Sequence, residues 1–81
     1  MNKIIEDKVR QVVSSIAKVS VGKLLLNDNL AEKYGIDSLK KVEIVIELEK
    51  AFDITIDDDT AIKLRTMSDI INLVLLQSMK K

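Results

Sequence analysis

Between residues 3 and 19, Ile5, Val9, Val12, Ile16 and Val19 recur at steps of three and four, and Ile4, Val13 and Ala17 widen the stripe. This spacing predicts an amphipathic helix. The helix is expected to stop near Ser20-Val21-Gly22, where the glycine can supply a left-handed C-terminal turn. Residues 23–36 keep no sustained period. Leu24-Leu25-Leu26 is a short apolar cluster, Asn27-Asp28-Asn29 is turn chemistry, and Tyr34-Gly35 punctuates before the next helix. The pattern predicts a long loop pinned to the core by its leucines, and a connection of that length often carries function.

Asp37 suits a helix N-cap, with Ser38 in the first turn of a helix running through Leu39 to about Phe52. Ile54-Thr55-Ile56-Asp57 then leads to a short acidic helix over residues 58–64. Thr66-Met67-Ser68-Asp69 has the form of a capping box, with Thr66 as cap and Asp69 reaching back, ahead of the apolar run Ile70, Ile71, Val74 and Leu75. The expected architecture is three main helices and one short one, with no strand of consequence. No repeat, linker or low-complexity tract interrupts it.

The helix after Asp37 has two apolar faces. At about 100° per residue, Ile44, Val45, Leu48, Ala51 and Phe52 fall within roughly 120°, a normal core-facing stripe. Leu39, Val42 and Ile46 form a second cluster about 130° away, with Ser38 beside them. Either the long loop covers this second stripe, or it is exposed as a docking ridge.

Composition narrows the chemistry. Eighty-one residues leave room for one domain. Hydrophobic residues make up 47%, with only Tyr34 and Phe52 aromatic, so the core must be aliphatic. The absence of Cys and His removes a disulfide framework, a thiolate nucleophile, a histidine base and a Cys- or His-ligated metal site. Thirteen Lys and Arg balance thirteen Asp and Glu, which argues against a nucleic-acid partner. No signal-peptide core follows Met1, and the longest uncharged stretch, residues 70–79, is far short of the roughly 20 apolar residues of a membrane span. A cytoplasmic, monomeric protein that meets other proteins is expected.

Ser38 admits three readings. As helix-start chemistry it needs no further explanation, and by spacing alone this is the commonest case. As a nucleophile it lacks a base, because an exposed Lys41 one turn on is protonated at neutral pH. As a modification site it would place a phosphate ester at a helix N-terminus, where unpaired N–H groups and the macrodipole favour negative charge. The activating machinery would then belong to another enzyme.

Gly35-Ile36-Asp37-Ser38-Leu39, with Tyr34 before it and Glu43-Ile44-Val45-Ile46-Glu47-Leu48-Glu49 after it, resembles the phosphopantetheine attachment region of the acyl carrier proteins. Agreement extends to nearly the whole chain: the first helix, the loop with Asn27-Asp28-Asn29-Leu30, the helix ending in Glu49-Lys50-Ala51-Phe52, Ile54-Thr55-Ile56, Asp57-Asp58-Asp59, and the last helix capped by Thr66. The resemblance implies an all-α, small four-helix bundle and a non-catalytic carrier. In such a carrier a phosphopantetheinyl transferase joins 4′-phosphopantetheine from coenzyme A to Ser38, which Asp37 and Leu39 flank, and the thiol of that arm carries acyl groups as thioesters. It further implies an acyl cavity of Ile44, Val45, Leu48, Phe52, Ile56, Ile71 and Val74. Docking would fall to Leu39, Val42 and Ile46 with Lys40, Glu43, Glu49 and Lys50, and the partners would be acyl transferases, ketosynthases or acyl-activating ligases of fatty acid, polyketide or related lipid biosynthesis.

Two features depart from the family pattern. Acyl carriers of central fatty acid synthesis are typically strongly acidic, whereas this chain is neutral and carries Lys40, Lys41 and Lys50 on the helix after Ser38. Because charge complementarity governs encounter rate and partner choice, the lysines point to a carrier with a dedicated partner set. Peptidyl carriers usually have a second glycine and a His or similar residue before the serine, where this chain has Ile36-Asp37; this weighs against an aminoacyl, peptidyl or D-alanyl cargo, which stands as the alternative. Leu73, Leu75 and Leu76 make the last helix apolar nearly all round, against the first helix or another subunit.

Outside the carriers, the rival is a helical interaction module without a prosthetic group. A calcium loop counted from Asp53 fails, because Asp58 and Leu64 stand where it needs Gly and Glu.

Overall fold

The computed structural model describes residues 3–79. Helix α1 (Lys3–Ala17) buries Val9 and Val13, with Ile5, Val12, Ile16 and Ala17 packed half-buried beside them. Ile4 lies off this stripe and is exposed, so the helix presents a narrower apolar face than its sequence suggests. A 3₁₀ turn (Val21–Lys23) and four further helices follow: α2 (Leu30–Tyr34), α3 (Ser38–Phe52), α4 (Asp58–Ile62) and α5 (Met67–Met79). The fold is all-helical. Among the described residues the one extended pairing is the isolated bridge between Asn29 and Thr66.

Three helices end in the same way, with a left-handed residue that turns the next aliphatic inward. After α1 it is Lys18 (φ 61°) and not Gly22, and Val19 donates back to the Ser14 carbonyl at 3.2 Å. After α2 it is Gly35 (φ 66°), followed by buried Ile36; after α3 it is Asp53 (φ 55°), followed by buried Ile54. The six-residue bond from Val19 to Ser14, repeated from Ile54 to Glu49 at 3.3 Å, satisfies carbonyls that a helix end leaves open. Val19 packs half-buried against the core, and α1 ends before the glycine that its sequence offers for the purpose.

Residues 23–36 are not a structureless loop. Asn29 caps α2 by accepting from the Glu32 amide at 3.0 Å. Leu24, Leu30 and Ile36 are buried, while Leu25 and Leu26 are exposed, so one leucine of the triplet acts as the pin. Backbone bonds tie the segment to the start of α5: the Leu30 amide donates to the Arg65 carbonyl and the Ser68 amide to the Leu26 carbonyl, both at 2.9 Å. The Arg10 guanidinium donates to the Leu24 carbonyl from α1. The Tyr34 hydroxyl stands 2.7 Å from the Lys23 carbonyl and 2.9 Å from the Asp28 carboxylate.

Helix α1 packs on α3 and α5, and α3 also packs on α4 and α5. Their buried aliphatics join in one cluster that includes Met67, Ile70, Ile71 and Val74 of α5. Leu73 and Leu75 pack against that cluster, whereas Leu76 faces solvent. Among the described residues no helix is long and apolar enough to cross a membrane.

Candidate functional site

Asp37 has an extended backbone, and its Oδ1 accepts from the Lys40 amide at 2.9 Å. This cap starts α3 at Ser38, whose side chain is exposed at the first turn. The Cβ of a first-turn residue points toward the helix start, so the Ser38 hydroxyl stays open to solvent. A negatively charged group esterified to this hydroxyl would meet the positive end of a four-turn helix.

Ser38 borders a groove of about 580 Å³ between α3 and α4. Val42, Val45 and Ile46 form one wall, Ala61 and Ile62 the other, and Ile56 lies between them. Glu49 closes the groove at the far end of α3, where its Oε2 accepts from the Ile56 amide at 2.9 Å and staples the 54–57 segment to the helix. Asp57 opens α4 by accepting from the Thr60 amide at 2.8 Å, and bonding from the Thr60 side chain and amide holds its carboxyl below the usual range. The acidic cluster at residues 57–59 thus begins a helix. The volume falls within the range of small-molecule sites, with Ser38 and the Lys41 cation at one end and an apolar wall of Val42, Val45, Ile46, Ile56, Ala61 and Ile62 along it.

Of the seven expected cavity residues, Val45 and Ile56 line this groove. Val45 also lines a second cleft of about 300 Å³ with Ile44, Leu30, Ile36, Leu64 and Ile70, on the α2 side of α3. Leu48, Ile71 and Val74 are buried behind these walls, and Phe52 is half-buried near Lys8, whose Nζ stands 5.8 Å from the ring centroid.

The second stripe of α3 is not under the loop. Leu39, Val42 and Ile46 are 70%, 53% and 42% exposed. Lys50 and Glu43 are exposed near the ridge, Lys40 is half-buried, and Glu49 is half-buried with one oxygen committed to Ile56. Glu43 and Ile46 also border a cleft toward α1 with Lys8, Gln11, Val12, Ser15, Ile16 and Glu47. Sequence reasoning missed four participants in the groove: Ala61 and Ile62, whose short helix carries too few turns for a visible period, Asp58, read as the start of an acidic helix, and Lys41, weighed as a base and as a charge met by partners. The i,i+3 spacing from Ser38 to Lys41 was the available signal.

The sequence model of a family described as "Phosphopantetheine attachment site" matches residues 7–74. Among similar proteins, an "Acyl carrier protein" of Rickettsia bellii (strain RML369-C) is 33% identical over 70 residues, which cover 86% of this chain and 81% of the relative. An "Acyl carrier protein" of Buchnera aphidicola subsp. Schizaphis graminum is 34% identical over 86% of this chain and 89% of its own. One from Desulforapulum autotrophicum is 35% identical over 71 residues, 86% of this chain and 92% of the relative.

Proposed function

This chain belongs to the acyl carrier family and contains its phosphopantetheine attachment domain, and from that premise we propose that Ser38 is the attachment residue. The observation that carries this is the place of Ser38: exposed at the capped start of α3 and on the rim of the apolar groove. In the loading step Ser38 Oγ forms a bond to the phosphorus of coenzyme A that bears the pantetheine, the pyrophosphate bridge breaks, and adenosine 3′,5′-bisphosphate leaves. The hydroxyl proton passes to a base of the phosphopantetheinyl transferase, since this chain has no His and the Asp37 carboxylate already accepts the Lys40 amide. When bound, the arm supplies the thiol that this sequence lacks and carries the acyl group as a thioester.

The exposed ridge of Leu39, Val42 and Ile46 receives partner enzymes, with Lys40, Glu43, Glu49 and Lys50 around it. Val45 and Ile56 offer the first apolar surface to cargo on the arm. Ile44, Leu48, Phe52, Ile71 and Val74 form the wall behind them, which a longer chain would have to part. Intact mass of protein produced with a phosphopantetheinyl transferase tests the assignment. One phosphopantetheine increment is expected, absent in Ser38→Ala; an increment retained in that variant overturns it.

The charge of the ridge favours a narrower reading, a dedicated partner set in specialised acyl or polyketide assembly. Lys40 and Lys41 follow Ser38-Leu39, where a partner with a basic face would be repelled. Replacing Lys40 and Lys50 by Glu should speed malonyl transfer by enzymes that serve acidic carriers about tenfold at low salt, within the range of electrostatic steering. Fast transfer to the unaltered chain would contradict this reading.

A further inference from the structure

Lys41 stands on the wall that α3 places between two clefts. It borders the groove that begins at Ser38, and on its other side it borders the cleft beneath α2. Ser38 and Lys41 are three residues apart on one helix, so their Cβ atoms are neighbours at about 5–6 Å. Helical side chains lean toward the N-terminus, so a residue covers the turn before its own Cα. The turn before Lys41 is Asp37-Ser38. Lys41 is half-buried and lines the groove together with Ser38, and a lysine so placed can lay its aliphatic stem on apolar surface while its ammonium stays in water.

The acidic groups around Lys41 are otherwise engaged or stand across a cleft. Asp37, one turn back, caps the Lys40 amide, and Glu49 holds the Ile56 amide. Asp58 lies across the groove and Glu32 across the second cleft. Among the described residues the ion pairs are Arg10–Glu6 and Lys33–Asp28, and Lys41 is in neither.

We propose that Lys41 is a positioning residue for the group carried on Ser38: its ammonium pairs with the phosphodiester and directs the arm into the groove between α3 and α4. This rests on Ser38 as the attachment residue. A phosphodiester carries one negative charge at neutral pH and has two acceptor oxygens free, and a lysine supplies a point charge with three rotatable donors. The pair lies at the helix start, where the macrodipole adds to the ammonium. Its effect is to bias where the arm rests. Cargo then lies along Val42, Val45, Ile56 and Ile62 and not along the opposite cleft.

The test uses the full chain loaded by a phosphopantetheinyl transferase, with loading verified by intact mass before each measurement. Phosphorus-31 NMR reads the phosphodiester, and nuclear Overhauser contacts from arm protons to Ile56 and Ile62 read the docked position. In the unaltered chain the ³¹P shift should move as salt rises from about 0.01 to 0.5 M and screens the pair. Lys41→Gln should abolish that dependence and lower the docked population about two- to fivefold, as expected for one partly exposed pair, and Lys41→Glu should lower it further. Lys41→Arg, which keeps the charge and the stem, should restore both. Identical ³¹P shifts, salt dependence and arm contacts in the unaltered, Lys41→Gln and Lys41→Glu proteins would overturn the proposal and leave the attachment assignment intact. A chain that never acquires the increment, or acquires it away from Ser38, overturns the attachment assignment and this proposal with it.

Discussion

At the scale of single residues, the site depends on short polar contacts that start helices where they are needed. Asp69 illustrates the device. Its Oδ2 accepts from the Arg65 and Thr66 amides at 3.0 and 3.1 Å, while Thr66 Oγ1 accepts from the Asp69 amide at 3.1 Å. The Arg65 amide above all, against an opposing effect of burial, lowers the Asp69 carboxyl below its ordinary value, with the Thr66 groups adding to it. A carboxyl depressed in the folded state stabilises the fold fully above its unfolded value near 3.9 and loses that contribution as pH falls further. Asp57 is depressed by bonding from Thr60, and Asp28 by the Leu25 amide, Tyr34 hydroxyl and Lys33, which outweigh its desolvation. Thermal unfolding should therefore show little loss from these groups between pH 7 and 5 and a steep loss below about pH 4. Asp69→Asn should cost about 1 kcal/mol at pH 7 and flatten the acid limb; an unchanged limb would contradict the assignment.

The Asp37 cap and the Thr66–Asp69 box were legible in the sequence because both are i,i+3 contacts, which spacing alone can reveal. The Glu49 bond to the Ile56 amide was not, since it spans seven residues across a chain reversal. Nor was Lys18 as the left-handed stop, because lysine carries no turn signature.

At the scale of elements, α3 does two jobs with two faces. Ile44, Val45 and Leu48 are buried against the bundle, while Leu39, Val42 and Ile46 stay in solvent. The wheel separated these stripes from sequence alone; whether the second was covered depended on where residues 23–36 run, and that path is set by Leu24, Leu30, Ile36 and the backbone bonds to residues 65–68. Helix α2 escaped sequence reading for a related reason, since five residues are too few to display a period and Asn29 is equally at home in a turn. The two faces predict opposite phenotypes. Leu48→Ala should destabilise the protein by about 2–5 kcal/mol, measured by denaturant unfolding. Ile46→Glu should leave stability within about 0.5 kcal/mol and raise the KM of a partner enzyme for the loaded carrier about fivefold or more. Equal stability losses in the two would show that the ridge belongs to the core.

At the scale of the whole molecule, the buried aliphatics gather in one cluster, and the three long helices share it. That leaves the start of α3 and the flank of α4 free to form a rim and a groove instead of core. The chain offers an exposed hydroxyl and an apolar wall, and its sequence has no Cys or His; on the proposed reading, activation falls to a transferase and the thiol to the group that the chain receives. With Lys40, Lys50, Glu43 and Glu49 around Leu39, Val42 and Ile46, the exposed ridge is mixed in sign, so partners docking there would be selected by charge. On the proposed reading, the received group sits on Ser38 and bears acyl cargo. Peptide-resolved mass spectrometry of protein produced with a phosphopantetheinyl transferase and an acyl donor tests it most directly. Trypsin should release residues 34–40 between Lys33 and Lys40, and fragmentation should place one acylated phosphopantetheine on Ser38, with the acyl group removed by hydroxylamine. An unmodified 34–40 peptide, or an increment on any other residue, would contradict the account.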